Sequence, residues 1–184
     1  MGDIELVPPE ERAFGPGGSV IMAPFTHLDP AGSRFADGTF GAFYAAAHLA
    51  TSVAETCYHR EIFLRATRQG PLELDMRSYL ADVAARFHDI RGTRARMADV
   101  YDPDSYISSQ VFGRQLKLNG SNGIVYDSVR HPGGECVAIY RPPHPQPAAG
   151  CAPAICMGWQ QNQPRLRAAA ARSLACFIHE RHGV

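Results

Sequence analysis

Three side chains spaced through an early stretch of the chain carry the strongest hint of chemistry: Arg34, Tyr44 and Glu55. Arg34 sits in Ser33–Arg34–Phe35, Tyr44 in Phe43–Tyr44–Ala45, and Glu55 in Val53–Ala54–Glu55–Thr56. An Arg offers a planar fork that grips phosphate oxygens in pairs. A Tyr ring gives a flat apolar surface against which an aromatic heterocycle can be oriented. A Glu carboxylate facing a sugar stabilises the oxocarbenium-like charge that develops when a glycosidic bond breaks. Together they match the three roles that cleavage of a nicotinamide–ribose bond calls for, and no metal is expected.

Each of the three also has a plainer reading. Arg34 could be a surface or ion-pair residue, and Tyr44 a core aromatic. Ser52-x-x-Glu55 fits a helix-capping box, in which Glu55 would reach back to the Ser52 amide.

The elements that must position them follow from pattern. Gly15–Pro16–Gly17–Gly18 reads as a turn before a strand at 19–23. A second strand is expected at 40–45, where aromatic and small residues alternate. A helix should run from Thr51 or Ser52 to about Arg68, stopped by Gly70–Pro71. Residues 72–80 read as a strand, and 81–87 as either strand or helix. A helix is expected from Asp102–Pro103–Asp104–Ser105 to about Leu118, with strands at 123–126 and 136–140. Beyond the proline-rich excursion at 142–153, residues 154–159 read as an edge strand and 166–179 as an alanine-rich terminal helix. The order is mixed, which favours an α+β fold with a mainly antiparallel sheet over a doubly wound one. No Gly-x-Gly-x-x-Gly opens a helix and no P-loop is present, so a dinucleotide would not be held on a Rossmann turn.

Bulk properties narrow the function further. The 184 residues suit one domain, with 45% hydrophobic and 20% charged residues. Lys+Arg and Asp+Glu are 18 each, a net charge of zero that argues against direct nucleic-acid binding. No run is long and apolar enough for a membrane span, and the acidic start at 1–12 does not read as a signal peptide, so a cytoplasmic location is expected. The five cysteines, Cys57, Cys136, Cys151, Cys156 and Cys176, form no CxxC pair and read as buried thiols rather than a zinc site.

The motifs, taken in order, resemble the RES-domain toxins of toxin–antitoxin systems. Ser-Arg-Phe at 33–35, Gly-x-Phe-Tyr-Ala-Ala at 41–46 and Thr-x-Val-Ala-Glu-Thr at 51–56 carry the likeness. So do Phe-His-Asp-Ile-Arg-Gly at 87–92, Gly-Ser-Asn-Gly-Ile-Val-Tyr-Asp-Ser-Val-Arg at 120–130 and Gly-Gly-Glu at 133–135. The likeness covers about 18–142, the core of a single RES-type domain over 1–184 with an extension at 143–184. It implies an ADP-ribosyltransferase-like fold with a split sheet and flanking helices, and NAD as substrate. The acceptor would be water, phosphate or a protein side chain. It also implies growth arrest and a cognate Xre-like antitoxin that covers the site. On this mapping Arg34, Tyr44 and Glu55 match the family's essential residues and Ser128 the serine of its late loop.

The segment Tyr58–His59–Arg60–Glu61 resembles a longer subgroup in which protein ADP-ribosylation has been proposed. Glu55, Tyr58 and His59 share a helical face at i, i+3 and i+4. Arg130 and His131, in a Gly-rich loop after a strand, are placed to add a phosphate contact. Two other classes stay open: a catalytically silent antitoxin-binding module, and a nuclease using His88 or His131. His88–Asp89 has no nucleophile motif beside it and is expected to be structural.

Overall fold

The computed structural model describes residues 2–15, 17–67, 73–80, 83, 85–142, 155–160, 163–166 and 176–180. Two 3-10 turns, Ile4–Leu6 and Pro9–Glu11, precede helix α1 (Gly18–Thr26). Then come β1 (Phe43–Ala46), α2 (Leu49–Thr67), β2 (Glu73–Leu80), β3 (His88–Asp89), α3 (Ile107–Leu118), β4 (Gly123–Asp127) and β5 (Glu135–Ile139). β6 (Ile155–Gln160), β7 (Gln163–Leu166) and β8 (Cys176–Glu180) complete the order.

The strands form one sheet in the order β3-β4-β5-β1-β8-β2-β6-β7. Only β3 and β4 run parallel; the other pairs are antiparallel, as expected for this α+β chain. β1 meets β5 over four residue pairs, Phe43↔Ile139 to Ala46↔Cys136, but meets β8 at one pair, Ala46↔Cys176. Among the described residues the sheet is thus two parts, β3-β4-β5-β1 and β8-β2-β6-β7, joined by a single rung.

Alternation along β1 and β5 divides the core between the two sheet faces. Phe43, Ala45 and Ile139 pack with Met22 and Phe25 of α1. Ala46, Cys136 and Ala138 pack on the other face with Phe35, Tyr101, Ile124, Tyr126 and Tyr140, and Tyr44 joins them. Phe112 and Leu116 of α3 close that side.

Several expectations are corrected. Residues 19–23 belong to α1, not a strand. The β-branched pair Val20–Ile21 favours strand only where a sheet receives it, and here Met22, Phe25 and Thr26 are buried at the i, i+3, i+4 spacing of a helix face. The strand expected from residue 40 starts at Phe43. The second long helix starts at Ile107 rather than at Asp102, because the Asp102 carboxylate accepts from the Asp104 and Ser105 amides and closes a separate turn. β6 is not an edge: it lies between β2 and β7. Of the helix expected at 166–179, Leu166 ends β7 and 176–179 form β8, where pairing with β1 and β2 outweighs the alanine-rich run before it. The helix stop at Gly70–Pro71, the remainder of the terminal helix at 167–175 and the excursion at 143–153 lie outside the described residues, and 83 and 85–87 are neither helix nor strand.

Among the described residues no helix is long and apolar enough to cross a membrane. Cys136 is buried and Cys57 partly so, neither in a disulfide, while the environments of Cys151, Cys156 and Cys176 lie outside the description.

One glycine governs how α3 sits on the Arg34 segment. A Cβ on Gly113 would fall 2.2 Å from the Phe35 carbonyl oxygen. Gly113→Ala should therefore push α3 off that segment and cost about 1–3 kcal/mol. The expected result is a lower melting temperature by calorimetry, with no gain from alanine's better helix propensity.

Candidate functional site

Helix α2 buries Val53 in its first turns but carries a polar stripe beside it. Ser52, Glu55, Thr56 and His59 recur at i, i+3, i+4 and i+7, one helical stripe, and all four line a cavity of about 290 Å³. Ser33, Arg34, Tyr44, Tyr106, Tyr126 and Cys136 line it as well. A polar stripe turned inward is explained by what it encloses, not by the core.

Arg34 is 6% exposed. Its Nη1 donates to the carbonyls of Asp102 (2.8 Å) and Val100 (3.4 Å), and its guanidinium lies 4.5 Å from the centre of the Tyr106 ring. Its Nη2 is buried with no hydrogen-bond partner. A buried guanidinium N–H left unpaired is costly unless something supplies an acceptor.

Tyr44 ties the Arg34 segment to the sheet. Its hydroxyl lies 2.8 Å from the Ser33 hydroxyl and accepts from the Phe35 amide at 2.9 Å, so the residues on either side of Arg34 hang from one phenol. Burial pushes the Tyr44 hydroxyl up to about 12, and it stays protonated at neutral pH.

Glu55 is not part of a capping box. α2 starts at Leu49, and the amides of Thr51 and Ser52 both donate to the His48 carbonyl, so Ser52 lies within the helix's first turn rather than at its cap. The Glu55 carboxylate instead accepts from the Ser128 hydroxyl at 2.6 Å. The direction of that bond is forced. Ser128 Oγ already accepts from the amides of Arg130 (3.1 Å) and His131 (2.9 Å), which leaves its proton for Glu55. The Cys136 sulfur lies 3.9 Å from the same Glu55 oxygen; burial, then the Glu55 charge, push this thiol up to about 12, so it faces the carboxylate as a neutral S–H.

The loop between β4 and β5 is fastened to α2 by more than Ser128. Thr51 Oγ1 and His131 Nδ1 are 2.9 Å apart, and a Cβ on Gly134 would come within 2.6 Å of Thr51. Arg94 donates to the Ser128 carbonyl at 2.9 Å. His131 is therefore a brace through Nδ1, and it is not among the residues that line the cavity.

Of the residues singled out from sequence, Arg34, Tyr44, Glu55 and His59 meet around the cavity and Ser128 stands directly behind Glu55. Tyr58 and Arg130 are not among the lining. The Arg130 guanidinium lies over the Tyr58 ring, 3.2 Å from its centre, and donates to the Pro103 carbonyl; its Nε is buried without a partner. His88 bonds Ser121 at 2.9 Å and Asp89 is paired with Arg91, and neither is among the residues that line the cavity. Tyr106 and Tyr126 were missed. Tyr126 occupies an ordinary inward strand position, and Tyr106 follows a turn; neither carries a local mark of a site. Among the described residues no group of three or more His, Cys, Asp or Glu is arranged to hold a metal ion.

Burial lowers the pKa of His59, Glu55 opposes that, and Arg130, Arg34 and Arg60 add to it. A His held below its unfolded value binds fewer protons folded than unfolded, so its contribution to stability is lost as pH falls below about 6.5. His59→Gln should flatten the fall in melting temperature between about pH 7 and 5 relative to the parent. An NMR titration of His59 with a midpoint above 6.5 would contradict this.

The RES domain model matches residues 9–166, most of the chain. The chain belongs to the RES-domain family. This RES domain is also 31% identical over 120 residues to an uncharacterized protein, y4oC, of Sinorhizobium fredii; the match takes in 65% of the chain and 49% of that protein, about half its length.

Proposed function

We propose that this RES domain cleaves NAD at the nicotinamide–ribose bond. One observation carries the proposal: a buried arginine with an unpaired N–H, Arg34, lines the same cavity as a carboxylate, Glu55, that is held in place by a forced hydrogen bond from Ser128. The first is a receptor for an anion and the second a stabiliser of developing positive charge, and cleavage of NAD needs both at once.

Arg34 holds a phosphate oxygen of the substrate. The nicotinamide ring lies along the Tyr44 side of the cavity. As the bond to C1′ breaks, its electron pair stays with the ring nitrogen and the ribose becomes cationic opposite Glu55. Water, phosphate or a protein side chain then takes the ribosyl group. The sheet divided at the Ala46–Cys176 rung supports the ADP-ribosyltransferase-like, split-sheet part of the reading. A growth-arresting role in the cytoplasm, relieved by an Xre-like antitoxin covering the cavity, rests on the resemblance to RES-domain toxins.

The test is nicotinamide release from NAD by the purified domain, followed by chromatography with and without phosphate and with a cell lysate as a source of protein acceptors. Release is expected, and its dependence names the acceptor. No release in any of the three would overturn the proposal and leave the binding-module reading.

A further inference from the structure

The cavity is small for a whole dinucleotide. At about 290 Å³ it sits at the lower end of the range for pockets that enclose small ligands, roughly 300–1,000 Å³. Among its described lining residues Arg34 is the single arginine, so one phosphate is provided for inside it. The second unpaired guanidinium N–H near the site belongs to Arg130, which is outside the lining and stacked on Tyr58, one residue before His59 of the cavity wall. The Arg130 amide donates to the same Ser128 hydroxyl that donates to Glu55 of the cavity, so the two places adjoin.

Resting on the NAD reading above, we propose that the cavity accepts only the nicotinamide mononucleotide half, with its phosphate on Arg34, and that the adenylate half lies outside, its phosphate on Arg130. Free nicotinamide mononucleotide is then a substrate in its own right. The bond broken is the same: the C1′–nitrogen electron pair goes to the ring and neutralises the pyridinium. With water as acceptor the oxygen bonds C1′, one proton is released, and ribose 5-phosphate and nicotinamide result. With inorganic phosphate the sugar product is ribose 1,5-bisphosphate.

The experiment compares kcat/KM for nicotinamide mononucleotide and NAD in the parent domain, in Arg130→Ala and in Tyr58→Leu. Both substrates should release nicotinamide in the parent. Arg130→Ala should lower the NAD-to-mononucleotide ratio of kcat/KM by about tenfold, through KM, since one charge-assisted hydrogen bond is lost from one substrate only. Tyr58→Leu removes the ring beneath the guanidinium and should move the ratio the same way, which keeps the test usable if one variant folds poorly. Cleavage of NAD without cleavage of the mononucleotide overturns this inference alone, as does an equal loss on both substrates in the two variants. Cleavage of neither, with water, phosphate and a lysate each supplied as acceptor, overturns the NAD reading, and this inference with it.

Discussion

Glu55→Gln should abolish nicotinamide release and leave the fold unchanged. The amide is nearly the same shape as the carboxylate, and its carbonyl oxygen can still accept from the Ser128 hydroxyl that now holds Glu55 at 2.6 Å. What disappears is the negative charge opposite the ribosyl cation. Removing one electrostatic stabiliser of a transition state typically costs about 10²–10³ in kcat. Because the structure removes the capping-box role, no compensating helix defect is expected, and the melting temperature should stay close to that of the parent. Parental turnover in Glu55→Gln would reduce Glu55 to an anchor for the β4–β5 loop. Ser128→Ala should show a smaller loss, about tenfold, because it frees the carboxylate from one donor without removing the charge.

Arg34 should show a split between its two roles. Nη1 and the guanidinium face hold the 100–106 segment through the Val100 and Asp102 carbonyls and the Tyr106 ring. Nη2 is the unpaired donor. Arg34→Ala removes both functions and strands two carbonyls, so loss of activity should come with a clear loss of stability, about 1–3 kcal/mol. Arg34→Lys keeps a cation and one contact but not the planar fork. It should keep more of the stability while raising KM for NAD by about 10- to 100-fold, the worth of a charge-assisted bond of about 1.5–3 kcal/mol. Melting curves and steady-state kinetics on the two variants would check this. A lysine variant with parental KM would make Arg34 a purely structural residue.

The site was more legible in the sequence than the fold around it. Arg34, Tyr44 and Glu55 stood out because their motifs, taken in order, resemble those of the RES-domain family although each residue alone had a plainer reading, and α2, which carries Glu55 and His59, was long enough for its boundaries to be read within a few residues. α1 was misread because Val20 and Ile21 favour strands locally while the burial of Met22 and Phe25 is decided by contacts the sequence does not display. β8 was misread for a related reason: its place between β1 and β2 joins residues far apart along the chain, and no local signal encodes such a pairing. Tyr106 escaped because its importance lies in the guanidinium it faces, 4.5 Å away, a relation that exists only after folding. Ser128 was placed in the site, yet its amide-fed hydroxyl could not be foreseen from a Gly-rich loop alone.

The single rung between β1 and β8 bears on how the molecule breathes. Tyr44 and the Ser128 loop belong to the β3-β4-β5-β1 half, while α2, whose stripe lines the cavity, packs against both β1 and β8. A ladder joined at one described residue pair passes little cooperativity from strand to strand, so α2, packed on β1 and β8, is what ties the two halves together. Slow amide exchange in β4 and β5 need not be matched in β2 and β6. Local opening of the far half would then reach the cavity through α2, the helix whose polar stripe lines it.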